Sequence, residues 1–298
     1  MTQQQRQALD DLLRHGPLDL EGDLAEQRVV FHDMIASVPL PDDVSTTPGR
    51  LGGVPVVTVE TPENDPSVVL LYFHGGGYGL GSAADSAGLA ADVARRTGAR
   101  AISVDYRLAP ENPFPAAVDD AVAAYRALLH DGTPSSKIAL VGESAGGGLV
   151  IAALVTFKEA GLPQPSSAVV FSPWTDLTLS GDSMAGKAAA DPTLTEKGLR
   201  TRARDYLGET DPASPLASPL FADLTGLAPL LIQVGSHEIL LNDATRLATR
   251  AAEQDVPVEL QVWPQVPHVF QGFAALLDEA DAALRAAAAF TQAHWPAG

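Results

Sequence analysis

Gly142-Glu143-Ser144-Ala145-Gly146 follows directly on the apolar run Ile138-Ala139-Leu140-Val141. A Gly-x-Ser-x-Gly at the end of a strand, ahead of a helix-forming segment, is the sequence form of a nucleophile elbow. The serine occupies a tight strand-to-helix turn that pushes its Oγ out of the sheet. The two glycines are required because the turn crowds the strand before it against the helix after it. A serine hydroxyl is a weak nucleophile by itself. The chemistry also needs a base, an acid to orient that base, and donors for the developing oxyanion.

Each of these is present, in a consistent chain order. Val68-Val69-Leu70-Leu71-Tyr72-Phe73 reads as a buried parallel strand and ends in His74-Gly75-Gly76-Gly77-Tyr78. Consecutive glycines let the backbone approach a ligand and turn its N–H groups inward. The amides of Gly75 and Gly76, joined by that of Ala145, are therefore expected to hold the alkoxide. After the serine the order should be acid, then histidine. Glu238 leaves the strand-like Leu230-Leu231-Ile232-Gln233-Val234. His268 follows Val258 to Trp263, whose alternating pattern suits a half-covered strand near a sheet edge. Both then lie at the carboxyl edge, where open α/β sheets build their sites.

Ser144 would attack an acyl carbon, and His268 would take its proton and return it to the leaving group. Glu238 would fix the imidazole tautomer. Asp243 is the competing acid. It opens a helical segment, so capping exposed amides is its expected role. His15, His32, His130 and His294 fall in helical or connecting stretches, and His237 precedes the last strand, so none fits the order.

The elements that must position these residues alternate strand-like runs with Ala- and Leu-rich helical runs. That pattern gives a mostly parallel central sheet with helices on both faces. With 298 residues, 46% of them hydrophobic, the chain can bury one large core. Two stretches stand outside the repeat. Residues 1–45 read as one or two amphipathic helices anchored by Leu9, Leu12, Leu13, Leu24, Val29, Val30, Phe31 and Met34. Residues 180–214 are polar and alanine-rich, with a helix expected from Glu196 to Leu207.

With those residues in hand, the chain resembles the bacterial hormone-sensitive-lipase-like esterases of the α/β-hydrolase superfamily. The resemblance rests on His74-Gly75-Gly76-Gly77, on Asp105-Tyr106-Arg107-Leu108-Ala109-Pro110-Glu111 with Pro115-Ala116 and Asp119, and on Gly142 to Gly147. It continues through Ser172-Pro173-Trp174-Thr175-Asp176-Leu177 to Pro267-His268-Val269-Phe270. It implies an α/β-hydrolase core at residues 46–179 and 215–298, under a helical cap made from residues 1–45 and 180–214. It implies carboxylic esters with short to medium acyl chains as substrates. Lactone hydrolysis is the alternative, because lactone-opening relatives carry similar glycine and Pro-His-Val-Phe motifs. A non-catalytic receptor of the same fold would have no need to keep Ser144, Glu238, His268 and the oxyanion glycines together. Two departures stand out: the family's acid is more often aspartate than glutamate, and the position of Glu143 is more often aspartate or threonine.

Composition narrows the partners further. The absence of cysteine excludes disulfides and thiol chemistry and is compatible with a reducing cytoplasm. The N-terminus lacks the apolar core of a signal peptide, and no apolar run reaches a membrane span, so a cytoplasmic protein is expected. A formal charge of −18 disfavours nucleic acid and anionic membranes. No phosphate loop, dinucleotide fingerprint or metal-ligand spacing appears, so no cofactor and no metal are expected. The edge strand Val258 to Trp263 offers unpaired backbone groups to a twofold partner, and a homodimer through it is the expectation.

Overall fold

The computed structural model describes residues 3–296. Two helices, α1 (Gln3–Arg14) and α2 (Leu24–Ala36), precede the first strand. The sheet consists of β1 (Ser45–Leu51), β2 (Val54–Glu60), β3 (Asp65–Phe73), β4 (Ala99–Val104), β5 (Ile138–Glu143), β6 (Ser167–Phe171), β7 (Leu230–Gly235) and β8 (Val258–Trp263). Its order is β1-β2-β4-β3-β5-β6-β7-β8. β2 runs antiparallel to β1 and β4, and every other pairing is parallel.

The apolar runs are continuous because both faces of the sheet are covered. Along β3, Val69, Leu71 and Phe73 enter one core while Leu70 and Tyr72 enter the other, the period-2 alternation of a strand. The first core is closed by α4 (Ala116–His130), α5 (Ala145–Glu159) and α8 (Leu241–Glu253). The second is closed by α3 (Ala87–Thr97) and α9 (Asp278–Ala293). β8 takes the edge expected of it, with Leu260 and Val262 exposed on it.

The two stretches outside the repeat touch one another. Residues 180–214 carry the short α6 (Ser183–Gly186) and α7 (Glu196–Leu207), the latter with the expected bounds and capped by Thr195. Arg14 of α1 donates to the carbonyls of Ala189, Ala190 and Asp191, Glu21 pairs with Lys197 at 2.6 Å, and Leu20 packs on Gly198. Two of the expected anchors are not anchors, since Leu12 and Val29 are exposed. The apolar residues of α2 run round the helix, and burial selects Gln27 along with one side of them. Among the described residues, no helix is long and apolar enough to cross a membrane.

Candidate active site

Five neighbouring strands deliver the site from their carboxyl ends, and their spatial order is also their chain order. β3 ends in the glycine loop, β5 in Ser144, β6 in Ser172, β7 in the loop of Glu238 and β8 in the loop of His268. The elbow is formed as the pentapeptide requires. Ser144 has φ 53° and ψ −121°, and a Cβ at Gly146 would fall 2.0 Å from the Phe73 carbonyl oxygen. Only glycine permits that approach between α5 and β3.

Ser144, His268 and Glu238 form one hydrogen-bonded line. His268 Nε2 lies 2.9 Å from Ser144 Oγ, and His268 Nδ1 lies 2.8 Å from Glu238 Oε2. Glu238 is fully buried, and its Oε1 accepts from the Gly235 N–H at 2.5 Å and the Ser172 hydroxyl at 2.9 Å. With that carboxylate on Nδ1, the Nδ1 nitrogen carries the proton and Nε2 is left to accept from the serine. Burial works against the His268 cation, yet the hydrogen bond and charge of Glu238, helped by Asp191 and Glu143, hold its pKa above the usual value. A hydroxyl, an imidazole and a carboxylate in this sequence can pass one proton from nucleophile to leaving group.

Ser172 enters the sequence reading only within the motif that carries the resemblance and without a role of its own, yet it joins Glu238 to the loop of His268. Its hydroxyl donates to Glu238 and accepts the Val269 N–H at 3.0 Å, so the loops after β6, β7 and β8 share one oxygen. Asp191 ties the turn between α6 and α7 to the loop of Glu238. Its buried carboxylate accepts the Ile239 N–H at 2.8 Å while ordering its own turn through Thr193 and Leu194. A buried Ser beside a motif Pro-Trp was the only signal available for the first, and nothing local pointed to the second.

Asp243 departs from its expected role. It lies at the start of α8, but its carboxylate does not cap that helix: it accepts the N–H groups of Thr175 and Asp176 at 2.8 and 2.9 Å. Burial, with Asp176 adding like charge, pushes its pKa up to about 8. It clamps the loop after β6 and makes no hydrogen bond to His268 among the described residues.

The glycine loop lies against Ser144, since a Cβ on Gly75 would come 3.3 Å from Ser144 Cβ. The N–H of Gly75 is already engaged, donating to Glu143 Oε1 at 3.3 Å. Ser86 donates to the same oxygen at 3.4 Å. Burial holds the Glu143 carboxyl above its usual range, against the lowering effect of that amide and of His268. Among the described residues, the N–H groups of Gly76, Gly77 and Ala145 have no protein acceptor. Gly76 has φ 108°, and a Cβ there would meet the Leu80 carbonyl oxygen at 2.3 Å. His74 is buried, stacked on Tyr106 at 4.2 Å, and burial lowers its pKa, so it serves as a neutral packing residue. No group of three or more His, Cys, Asp or Glu side chains among the described residues is arranged to hold a metal ion.

A sheet of this order with a serine elbow, a following acid and a final histidine defines an α/β hydrolase. The family model of the α/β hydrolase fold matches residues 70–272. An acetyl-hydrolase of Streptomyces hygroscopicus is 44% identical over 250 residues, 83% of this chain and 84% of that protein. An esterase of Acinetobacter venetianus is 36% identical over 264 residues, 88% of this chain and 87% of that protein. The crystal structure of an esterase from the bacterial hormone-sensitive lipase family superimposes with a TM-score of 0.96 at 41% identity, covering 99% of this chain and 100% of that one. The chain belongs to this bacterial hormone-sensitive-lipase-like family of α/β hydrolases and shares its class of activity, carboxylic ester hydrolysis.

Proposed function

We propose that the chain is a serine carboxylesterase acting through an acyl-enzyme, with Ser144 as nucleophile, His268 as general base and acid, and Glu238 as the orienting carboxylate. The observation that carries this is the unbroken line from Ser144 Oγ through both His268 nitrogens to Glu238. Gly76 and Ala145 are the oxyanion donors. Gly77, whose N–H is free, is the better third donor than Gly75, whose N–H is held by Glu143.

Short acyl groups are the substrates this reading favours. Behind Ser144 the first turn of α5 is closed by Pro173, Trp174 and Tyr78, since a Cβ on Gly148 would fall 2.1 Å from the Trp174 carbonyl oxygen. The acyl group is left the side beneath residues 1–45 and 180–214, which act as a cap that excludes water. A close relative named an acetyl-hydrolase agrees with a small acyl pocket.

The test is hydrolysis of a chain-length series of p-nitrophenyl esters by wild type and Ser144→Ala, followed by simple lactones. Wild type is expected to peak on short acyl chains, and Ser144→Ala to lose about 10,000-fold or more. Turnover confined to lactones would replace the ester reading, and retained activity in Ser144→Ala would overturn the nucleophile.

A further inference from the structure

Arg28 of α2 makes an unusual set of contacts for a residue of a covering helix. Its Nε donates to the Gly79 carbonyl at 2.8 Å and its Nη2 to the Ala109 carbonyl at 2.9 Å. Nη1 and Nη2 also grip both oxygens of Glu111 at 2.7 Å each. The guanidinium thus spends its fork on two backbone carbonyls and a bidentate carboxylate, a geometry that the point charge of a lysine does not reproduce. Glu111 is held at a pKa of about 2 chiefly by its hydrogen bond to Arg28.

The two carbonyls belong to one backbone unit with the glycine loop. The N–H groups of Gly79 and Leu80 donate to the Gly76 carbonyl at 3.1 and 2.8 Å, and the Ala109 N–H donates to the Tyr78 carbonyl at 2.9 Å. The turn that carries Gly76 and Gly77 is therefore pinned at its far end to the loop of Ala109, and Arg28 closes the join. α2 is shaped to bring it there. Leu24 packs on Gly79 and Phe31 on Gly81, so positions 24, 28 and 31 form one stripe of the helix lying along the glycine loop.

Resting on the oxyanion reading above, we propose that Arg28 is a positioning residue: it clamps the turn of Gly76–Leu80 so that the Gly76 and Gly77 amides keep the aim the transition state needs. The N-terminal helix then contributes to the chemical step as well as to covering the substrate. An error of about 1 Å in placing catalytic groups costs on the order of 100-fold in rate. Losing the clamp is felt in kcat, because the oxyanion forms only in the transition state.

The test compares wild type with Arg28→Met and Arg28→Lys, each checked for native circular dichroism. It reads kcat and KM on p-nitrophenyl acetate, and the inhibition constant of a short trifluoromethyl ketone, whose hemiketal oxyanion occupies the same donors. Arg28→Met is expected to lower kcat by about 10- to 100-fold with KM little changed, and to weaken the ketone by a comparable factor. Arg28→Lys should recover part of both. A raised KM with kcat and ketone affinity intact would overturn the proposal, leaving α2 a cover only. Should Arg28→Met fail to fold, Arg28→Lys carries the test, and wild-type kcat in it would overturn the proposal equally. Inert wild type on this ester, by contrast, would sink the esterase reading itself.

Discussion

The strand-end loops and the helical layer above them are held in opposite ways. In the loops, Ser144, Ser172 and Glu238 are buried, as is Asp243 at the start of α8, and each makes hydrogen bonds that reach across to another strand end. In the layer, α7 packs Leu199, Ala203 and Tyr206 into the main core, but the N-terminal helices bury little beyond Leu9 and Gln27 and are held by polar contacts close to water: the Lys197 side chain that pairs with Glu21 is 77% exposed. Exposed ion pairs contribute about 0–1 kcal/mol each, while breaking a buried network costs several times that. The line of Ser144, His268 and Glu238 is therefore held by buried hydrogen bonds, while the N-terminal helices above it are held largely by contacts near water. Arg28 and Asp191 are where the layer reaches into the loops.

The sharpest way to test that division is inside the buried part. Glu238→Gln keeps the shape but presents the wrong partner to His268, and is expected to lower kcat by roughly 1,000- to 10,000-fold. The raised pKa of His268 should put the acid limb of kcat/KM above 6.5 in wild type, because the base works only when neutral. Removing the carboxylate should move that limb to lower pH, and a pH–rate profile of both proteins checks it. A limb that does not move would deny Glu238 its role.

Gly76→Val comes next. Its side chain would collide with the Leu80 carbonyl at a positive φ, so the oxyanion turn must distort, and a loss of roughly 100- to 1,000-fold is expected. Full activity in that variant would remove Gly76 from the donors.

Asp243→Asn should cost only about a few-fold, the size expected of a clamp in the same buried part outside the proton path. Its signature is in stability. With a folded pKa of about 8 against an ordinary 3.8, the folded state keeps a proton that the unfolded state has lost between those values. The contribution of Asp243 is complete below the lower value and falls away as pH rises through the upper one. Asp243→Asn should lack that slope, so its melting temperature is expected to gain on wild type from pH 5 to pH 8. A loss of rate rivalling that of Glu238→Gln would reverse the assignment of the acid.

The smallest effect is at the sheet edge. Leu260 and Val262 are exposed on β8, and we propose a twofold partner there. Light scattering should give a dimer mass that Val262→Glu reduces to a monomer, with little change in rate. A monomer in wild type would refute it.

What was legible in the sequence follows the same division. The elbow, the glycine loop and the order Ser144, Glu238, His268 could be read because each depends on local backbone demands and on strands that announce themselves by composition. β8 has its expected bounds, and α7 likewise, since Thr195 caps it in place. The side-chain reach between strand ends could not be read. That Glu143 spans to Gly75, that Ser172 joins two loops, and that Asp243 serves a loop well before it in the chain depend on which ends lie adjacent. Nor could the exposure of Leu12 and Val29, because an apolar residue in a thin layer is covered only if something lies beyond it.

His268 hangs from β8, which is hydrogen-bonded to the sheet on one side only. In the monomer that Val262→Glu should give, heating should free that strand before the interior ones, since local opening begins where contacts are fewest. Activity is then expected to fade, reversibly, at temperatures where circular dichroism still reports an intact fold. The enzyme would switch off through its histidine while its nucleophile and its core remain in place.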